Sequence, residues 1–226
     1  MYQFDTQAAR KADTMGGMIN EMGKYIGVFT QAEEVKAKTG TEGIAFVFQT
    51  QAGQKARLSL YTLKADGTKL MGFDAVMAIM ACLGLRNIDA KPGTVTRWNS
   101  ETKAEEKVSA RIFPELQGKP IGVLLETEDY PKDDGSTGTR MVLKNVFQAS
   151  TGLTASEILD RKTTPEQIDK MVANLRHRPI RAPKGATPSA ARQPAAAGTT
   201  GSGFEDMDDD IPFRDPLAFR GAHQVL

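Results

Sequence analysis

The segment Ile44-Ala-Phe-Val-Phe-Gln-Thr-Gln-Ala-Gly-Gln-Lys-Ala-Arg-Leu-Ser-Leu-Tyr-Thr62 decides the fold class of this chain. Its two halves, 44–49 and 55–62, have the apolar alternation of β-strands. Ala52-Gly53 lies between the halves and is typical of a tight turn. The segment is therefore predicted to be an antiparallel hairpin. The uncharged face of its first half, which we predict to be buried, carries Ile44, Phe46 and Phe48.

Further strands are predicted on both sides of this hairpin, at Tyr25–Thr30, Thr94–Trp98, Lys107–Phe113, Ile121–Glu126 and Met141–Phe147. The apolar run Phe73–Leu83 has no strand punctuation, and we predict a helix that Gly84 ends. Seven short strands with one intervening helix predict an all-β core with minor α content. A closed or nearly closed OB-fold-like antiparallel barrel, plugged by the helix, fits this pattern, and the pattern alone also allows a β-sandwich.

Composition divides the chain into five parts. An irregular or partly helical N-terminal arm is predicted for residues 1–22, and the β core for residues 23–150. Two short helices are expected in a helical extension at 151–178, one with a capping box from Thr154 to Glu157 and one opened by Thr164-Pro165-Glu166. A disordered linker rich in Pro, Ala, Gly and Thr is predicted for 179–203, and an acidic tail for 204–226.

The sequence offers little for catalysis. It has one cysteine, Cys82, in an apolar run where we expect a buried thiol, and two distant histidines, His177 and His223, in segments expected to be flexible. We therefore expect no metal site, no cofactor and no enzymatic activity. No apolar run approaches the roughly 18 residues of a membrane span. A soluble cytoplasmic protein without a membrane partner is expected, and a homo-oligomer is compatible with the sequence.

The tail has two basic and six acidic residues, and its acidic run closes on two apolar side chains. Like charges keep such a peptide extended, while apolar anchors held apart by a proline can enter a small pocket with a basic rim. The sequence therefore predicts a partner-binding peptide. Its residues are Asp208, Asp209, Asp210, Ile211, Pro212 and Phe213.

This tail, with the linker before it, resembles the C-terminal tip of single-stranded-DNA-binding proteins of bacteria and their phages. Those proteins carry an OB-fold, a flexible linker and an acidic tip that ends in Asp-Asp-Ile-Pro-Phe, and the layout of the chain is similar to the phage type. The resemblance covers roughly ten residues and implies an OB-fold that coats single-stranded DNA and recruits replication and recombination proteins. In the family, Phe is the last residue, whereas here Arg214 to Leu226 follow.

Strand alternation gives the candidate DNA-binding residues. Lys55, Arg57 and Tyr61 share the face of their strand opposite to Ala56 and Leu58, which we predict to be core. Cations bind phosphates and an aromatic ring stacks on any base, so the exposed face suits single-stranded DNA. The same reasoning adds Lys107, Arg111 and Phe113 on a later strand. Arg97 and Trp98, on the strand before it, are neighbours that point to opposite faces, so one of them must leave the core. The loop residues Lys36 and Lys38 are expected to be mobile phosphate contacts.

Three alternatives stay open at this level. Trp98 is equally compatible with packing and with base stacking. A recombination mediator or strand-annealing protein would have a similar tail, and an adaptor without nucleic-acid affinity would display the same peptide. The adjacent pairs Glu33-Glu34, Glu105-Glu106 and Asp133-Asp134 are not expected to converge on a metal or a proton, because neighbouring side chains diverge along a strand.

Overall fold

A computed structural model describes residues 17–99, 102–132 and 134–180, together with Thr6. The predicted linker beyond residue 180, the acidic tail and most of the N-terminal arm lie outside the described residues. Strands in the described part are β1 (Gly23–Lys36), β2 (Glu42–Thr50), β3 (Lys55–Leu63), β4 (Lys91–Asn99), β5 (Ala104–Ile112), β6 (Pro120–Pro131) and β7 (Thr137–Gln148). The helices are α1 (Met71–Leu83), α2 (Ala155–Leu159) and α3 (Ile168–Ala173).

All seven predicted strands are present, and every ladder between them is antiparallel. The order β3-β2-β1-β5-β4 runs along one path, and β6 joins β1 and β7. The long strand β1 is shared, because its residues 23–28 pair with β6 while its residues 27–36 pair with β2. The prediction of an all-β core with minor α content is confirmed, and this arrangement is OB-like.

The sheet does not close. Among the described residues no ladder joins β3 to β7, so of the two predicted forms, closed or nearly closed, full closure is not present. Helix α1 packs against β3 and β7 instead. Gly72 permits this approach, because a Cβ atom there would lie 2.1 Å from the carbonyl oxygen of Tyr61. The helix therefore packs on both strands at the position where the sheet has no ladder between β3 and β7.

Aromatic and aliphatic side chains of β1, β2, β3, β6 and β7 form the core. Phe46 and Phe48 are buried as predicted, and Phe29 lies between them with ring centroids at 4.6 and 5.9 Å. Helix α1 adds Val76, Ile79, Met80 and Cys82 to the same cluster. It ends where predicted, at Gly84, which has a φ of 65°. The helix therefore fills the core next to the open side of the sheet.

The C-terminal extension covers the outer face of β6 and β7. Ile168 of α3 packs on Leu124 and Phe147 in a second, smaller apolar cluster. The capping box of Thr154 and Glu157 is present as predicted, whereas α3 begins at Ile168, later than Thr164. The helix begins later than predicted, and the backbone before it is bound to another residue. The N–H groups of Glu166 and Gln167 donate to the Glu157 carboxylate at 2.7 and 3.0 Å.

Two segments pair with strand edges. Ile19 donates its N–H to the carbonyl of Lys55, and Lys55 donates to the carbonyl of Gly17, which fixes the end of the N-terminal arm on β3. Arg178 exchanges backbone hydrogen bonds with Thr127 and Asp129 of β6. His177, which was expected to be flexible, lies in this second segment and contacts the side chains of Thr127 at 2.9 Å and Asp129 at 3.0 Å. That expectation was wrong, because the edge of β6 beyond β1 holds the segment in place.

Candidate functional site

The outer face of β1, β2 and β3 lies opposite to the core. Cross-strand register places Gln31, Val47 and Arg57 in one row across this face, and Glu33, Ala45 and Ser59 in the next. The side chains of Arg57 and Ser59 are exposed, whereas Glu33 is buried. The face is therefore a mixed polar surface with cations at its β3 edge.

The β4–β5 hairpin folds over this face. The Nη2 atom of Arg97 donates to Oε2 of Glu33 at 2.7 Å, and the side-chain amide of Gln31 donates to the carbonyl of Thr96 at 3.4 Å. These contacts join the middle of β4 to β1, which is its neighbour but one in the sheet order. The sheet must therefore curl strongly between β1 and β4.

A groove lies between the hairpin and the sheet. We use this name for the space whose walls include Gln31, Glu33, Arg57, Ser59, Thr96 and Arg97. Its volume is about 40 Å³, which is enough for about three water molecules. The groove thus brings two of the predicted DNA-binding residues, Arg57 and Arg97, to opposite walls.

The β3 wall has cations available for a ligand. Lys55 and Arg57 are exposed, and within the described part of the chain neither side chain has a hydrogen-bond or ion-pair partner. Tyr61 lies further along the same face and is half-buried. The predicted face with two cations and one ring is therefore formed as expected.

The back of the hairpin, which points away from the groove, carries the other predicted residues of β4 and β5. Trp98 is 55 % exposed, and Lys107 lies diagonally across from it, opposite Thr96. Arg111 is on the same side, where it contacts Glu34 at 3.1 Å and the carbonyl of Ala90 at 3.2 Å. The structure thus divides the predicted residues between two surfaces, since neighbours on a strand point to opposite faces.

Three predicted residues lie elsewhere. Lys36 is the last residue of β1 and not a loop residue, and it pairs with Glu42 at 3.0 Å. Lys38 is exposed in the turn between β1 and β2. Phe113 was expected to continue the exposed row of β5, but β5 ends one residue earlier and the Phe113 ring packs against the core. Phe113 is therefore corrected from a stacking residue to a packing residue.

Sequence reasoning missed Glu33 and Gln31 as groove residues. Glu33 and Glu34 do diverge as expected, one to Arg97 and the other to Arg111. The available signal was the shared parity of Gln31 and Glu33 along β1, which places both on one face. That signal does not reveal that β4 covers this face, because the contact spans more than sixty residues of chain.

Three further features concern metal ligands, the cysteine and membrane spans in the part of the chain that the structure describes. It contains no group of three or more His, Cys, Asp or Glu side chains placed to hold a metal ion. Cys82 is buried as predicted, and burial raises the pKa of its thiol to about 11. None of the described helices is long and apolar enough to cross a membrane.

The predicted partner-binding residues Asp208, Asp209, Asp210, Ile211, Pro212 and Phe213 lie outside the described residues. Comparison with known proteins adds no identification: no protein-family model matches the chain, and no curated protein matches it.

Proposed function

We propose that this protein binds single-stranded DNA through the groove and the outer face of β3, and recruits replication or recombination enzymes through residues 208–213. The observation that carries the proposal is the row of Lys55, Arg57 and Tyr61 on the outer face of β3, with both cations unpaired in the described structure. Such a protein acts passively, because it coats exposed DNA and protects it during phage replication or recombination.

The chemistry of this row suits a single strand. Alternate residues on a β-strand are about 7 Å apart, so Lys55 and Arg57 present two separate charges to a phosphate backbone that runs along β3. The Tyr61 ring adds an apolar surface on which any base can stack, at about 1 to 3 kcal/mol for each stacked base. Neither contact requires a particular base, so we expect little sequence preference.

The back of the hairpin extends the same chemistry. Trp98, which is 55 % exposed, is the only aromatic residue of β4 and β5, and Lys107 is its diagonal neighbour on the adjacent strand. Both residues are on the side of the hairpin that points away from the groove, so a single strand would pass around the edge of β4 to contact them. We therefore include Trp98 and Lys107 as a second contact for the same DNA.

Duplex DNA fits the described surfaces poorly. Major-groove readers insert an exposed α-helix or a two-stranded ribbon. Helix α1 is packed into the core, and α2 and α3 have only five and six residues. The β4–β5 hairpin has the size of a ribbon, but one of its sides is turned toward the sheet. Unpaired bases are needed for the ring contacts, so a single strand is the favoured ligand.

The test is the affinity of the full chain for a fluorescent oligothymidine, measured for Arg57→Gln and for Arg86→Gln. Both variants remove one positive charge, and Arg86 is an exposed residue after α1. Arg57→Gln should weaken binding clearly more than Arg86→Gln. Equal losses would show that only net charge matters and would contradict a site on β3.

Two other outcomes identify the rival functions. A ring-shaped oligomer that accelerates annealing of complementary strands would indicate an annealing protein. If the wild-type chain does not bind any oligonucleotide at low salt, the protein is an adaptor that displays its acidic peptide.

A further inference from the structure

The groove is narrow. Its volume of about 40 Å³ accommodates a few water molecules. The residues that narrow it are on β4, and two side-chain contacts hold β4 in place, from Arg97 to Glu33 and from Gln31 to Thr96. A base or phosphate that lies between β4 and β1 must displace these contacts.

Glu33 occupies an unusual position for a site that binds an anion. Only 9 % of its side chain is exposed, and its carboxylate lies 2.7 Å from Arg97, whose side chain is 36 % exposed. The Nε atom of Arg97 is also buried and has no hydrogen-bond partner among the described residues. Arg97 therefore has one donor taken by an internal anion and another that is enclosed without an acceptor.

We infer that Glu33 is an internal competitor of the DNA phosphate: it holds the β4–β5 hairpin closed over the groove, and a bound single strand replaces it on Arg97. This inference rests on the proposed function and names the regulation of the same site. A phosphate presents several acceptor oxygens, so it can satisfy both Nη2 and Nε of Arg97, whereas Glu33 satisfies only one of them. Replacement of Glu33 removes the charged one of the two side-chain contacts between β4 and β1, which lets the groove widen.

The exchange has a signature in the salt dependence of binding. Each phosphate neutralised on a single strand contributes about −0.7 to the slope of log affinity against log salt. Arg97 is already neutralised by Glu33, and the freed carboxylate takes up a cation when the phosphate replaces it. The contact of Arg97 with a phosphate therefore contributes almost nothing to the slope of log affinity against log salt in the wild type. Removing the charge of Glu33 makes the slope steeper by about 0.7.

The experiment compares Glu33→Gln with Glu128→Gln in the full chain. Both variants remove one negative charge from a carboxylate that pairs with an arginine, but Glu128 pairs with Arg140 between β6 and β7, outside the groove and the back of the hairpin. The probe is a fluorescent oligothymidine of about 20 nucleotides, longer than the ~4 to 16 nucleotides that one OB-fold contacts. Thermal unfolding of each variant verifies that it is folded.

Glu33→Gln should bind about tenfold more tightly than wild type, because a charge-assisted contact no longer has to be broken, and its salt slope should be steeper. Glu128→Gln should stay close to wild type. In an Arg97→Gln background the gain from Glu33→Gln should disappear, since the competition requires Arg97. If Glu33→Gln does not fold, the single variant Arg97→Gln still tests the inference. Its salt slope should be nearly the same as that of the wild type.

Three results would overturn the inference. These are equal affinities of Glu33→Gln and Glu128→Gln, a gain that persists without Arg97, or a loss of slope in Arg97→Gln that matches one ordinary phosphate contact. A wild-type chain with no affinity for the oligothymidine would instead refute the proposed function itself.

Discussion

Arg178 joins the C-terminal extension to the core through Glu126: its Nη2 and Nε atoms lie 2.6 and 2.8 Å from Oε2 of that carboxylate. Only 2 % of the Glu126 side chain is exposed, and Lys144 approaches its other oxygen at 3.3 Å. Burial alone would raise the pKa of Glu126, but hydrogen bonds and charge from Arg178 and Lys144 outweigh this and lower it. The extension is therefore fixed on β6 up to the residue where the predicted linker begins.

Arg178→Ala should lower the free energy of unfolding by about 1 to 3 kcal/mol, because it leaves the buried Glu126 carboxylate with Lys144 as its one charged partner. Lys144→Ala is the matched control and should cost less, since its contact is longer and Arg178 remains. Urea denaturation of both variants measures the difference. A larger loss in Lys144→Ala would contradict this assignment.

Glu157 makes the extension sensitive to acid. Burial would raise the pKa of this fully buried carboxyl, but hydrogen bonds from the backbone of Thr154, Glu166 and Gln167 and from the Thr154 hydroxyl outweigh it and lower the pKa to about 2. A depressed pKa means that the ionised form stabilises the folded state. That contribution is complete above the ordinary pKa of 4.5 and is lost as the pH falls from there toward about 2.

The melting temperature of the wild type should therefore fall below about pH 4.5, and that of Glu157→Gln should start lower and fall less. Glu105→Gln, on an exposed position of β5, is the control and should follow the wild-type curve. Parallel curves for wild type and Glu157→Gln would show that this carboxylate does not contribute to acid sensitivity.

Trp98 tests the second DNA contact. Because 55 % of the residue is exposed, Trp98→Ala should change the free energy of unfolding by less than about 0.5 kcal/mol, whereas a core tryptophan would cost about 3 to 5 kcal/mol. Its fluorescence should decrease when oligothymidine binds, and Trp98→Ala should weaken binding by about 1 to 3 kcal/mol. An unchanged emission spectrum at saturation would remove Trp98 from the interface.

The strands could be predicted from the sequence because most of them have apolar side chains at every second residue, which places those side chains on one face of the sheet. Phe46 and Phe48 illustrate this, since two-residue alternation alone places them in the core. The curl of β4 over β1 could not be predicted in this way, because it depends on contacts such as that of Arg97 with Glu33. The prediction of an exposed Phe113 was wrong for a related reason. Strand β5 ends one residue before Phe113, and the ring packs against the core.

Deletion of residues 204–226 tests the tail. The deletion removes six acidic and two basic side chains, so binding to single-stranded DNA should stay intact or become slightly tighter at low salt. Capture of replication and recombination proteins by the immobilised chain should be lost. Phe213→Ala should reproduce this loss with no change in charge. Stronger capture after truncation at Phe213 would instead mean that residues 214–226 mask the peptide.

Preference for single strands over duplex DNA distinguishes the proposed protein from one that binds any nucleic acid by charge, and one salt titration measures it. The affinity of the full chain for an oligothymidine and for a duplex of equal length is measured as salt rises from about 50 to about 500 mM. We expect much tighter binding of the single strand at every concentration, with a marked loss of affinity as salt increases. Equal affinity for the duplex, or an affinity for the single strand that does not change with salt, would contradict the account.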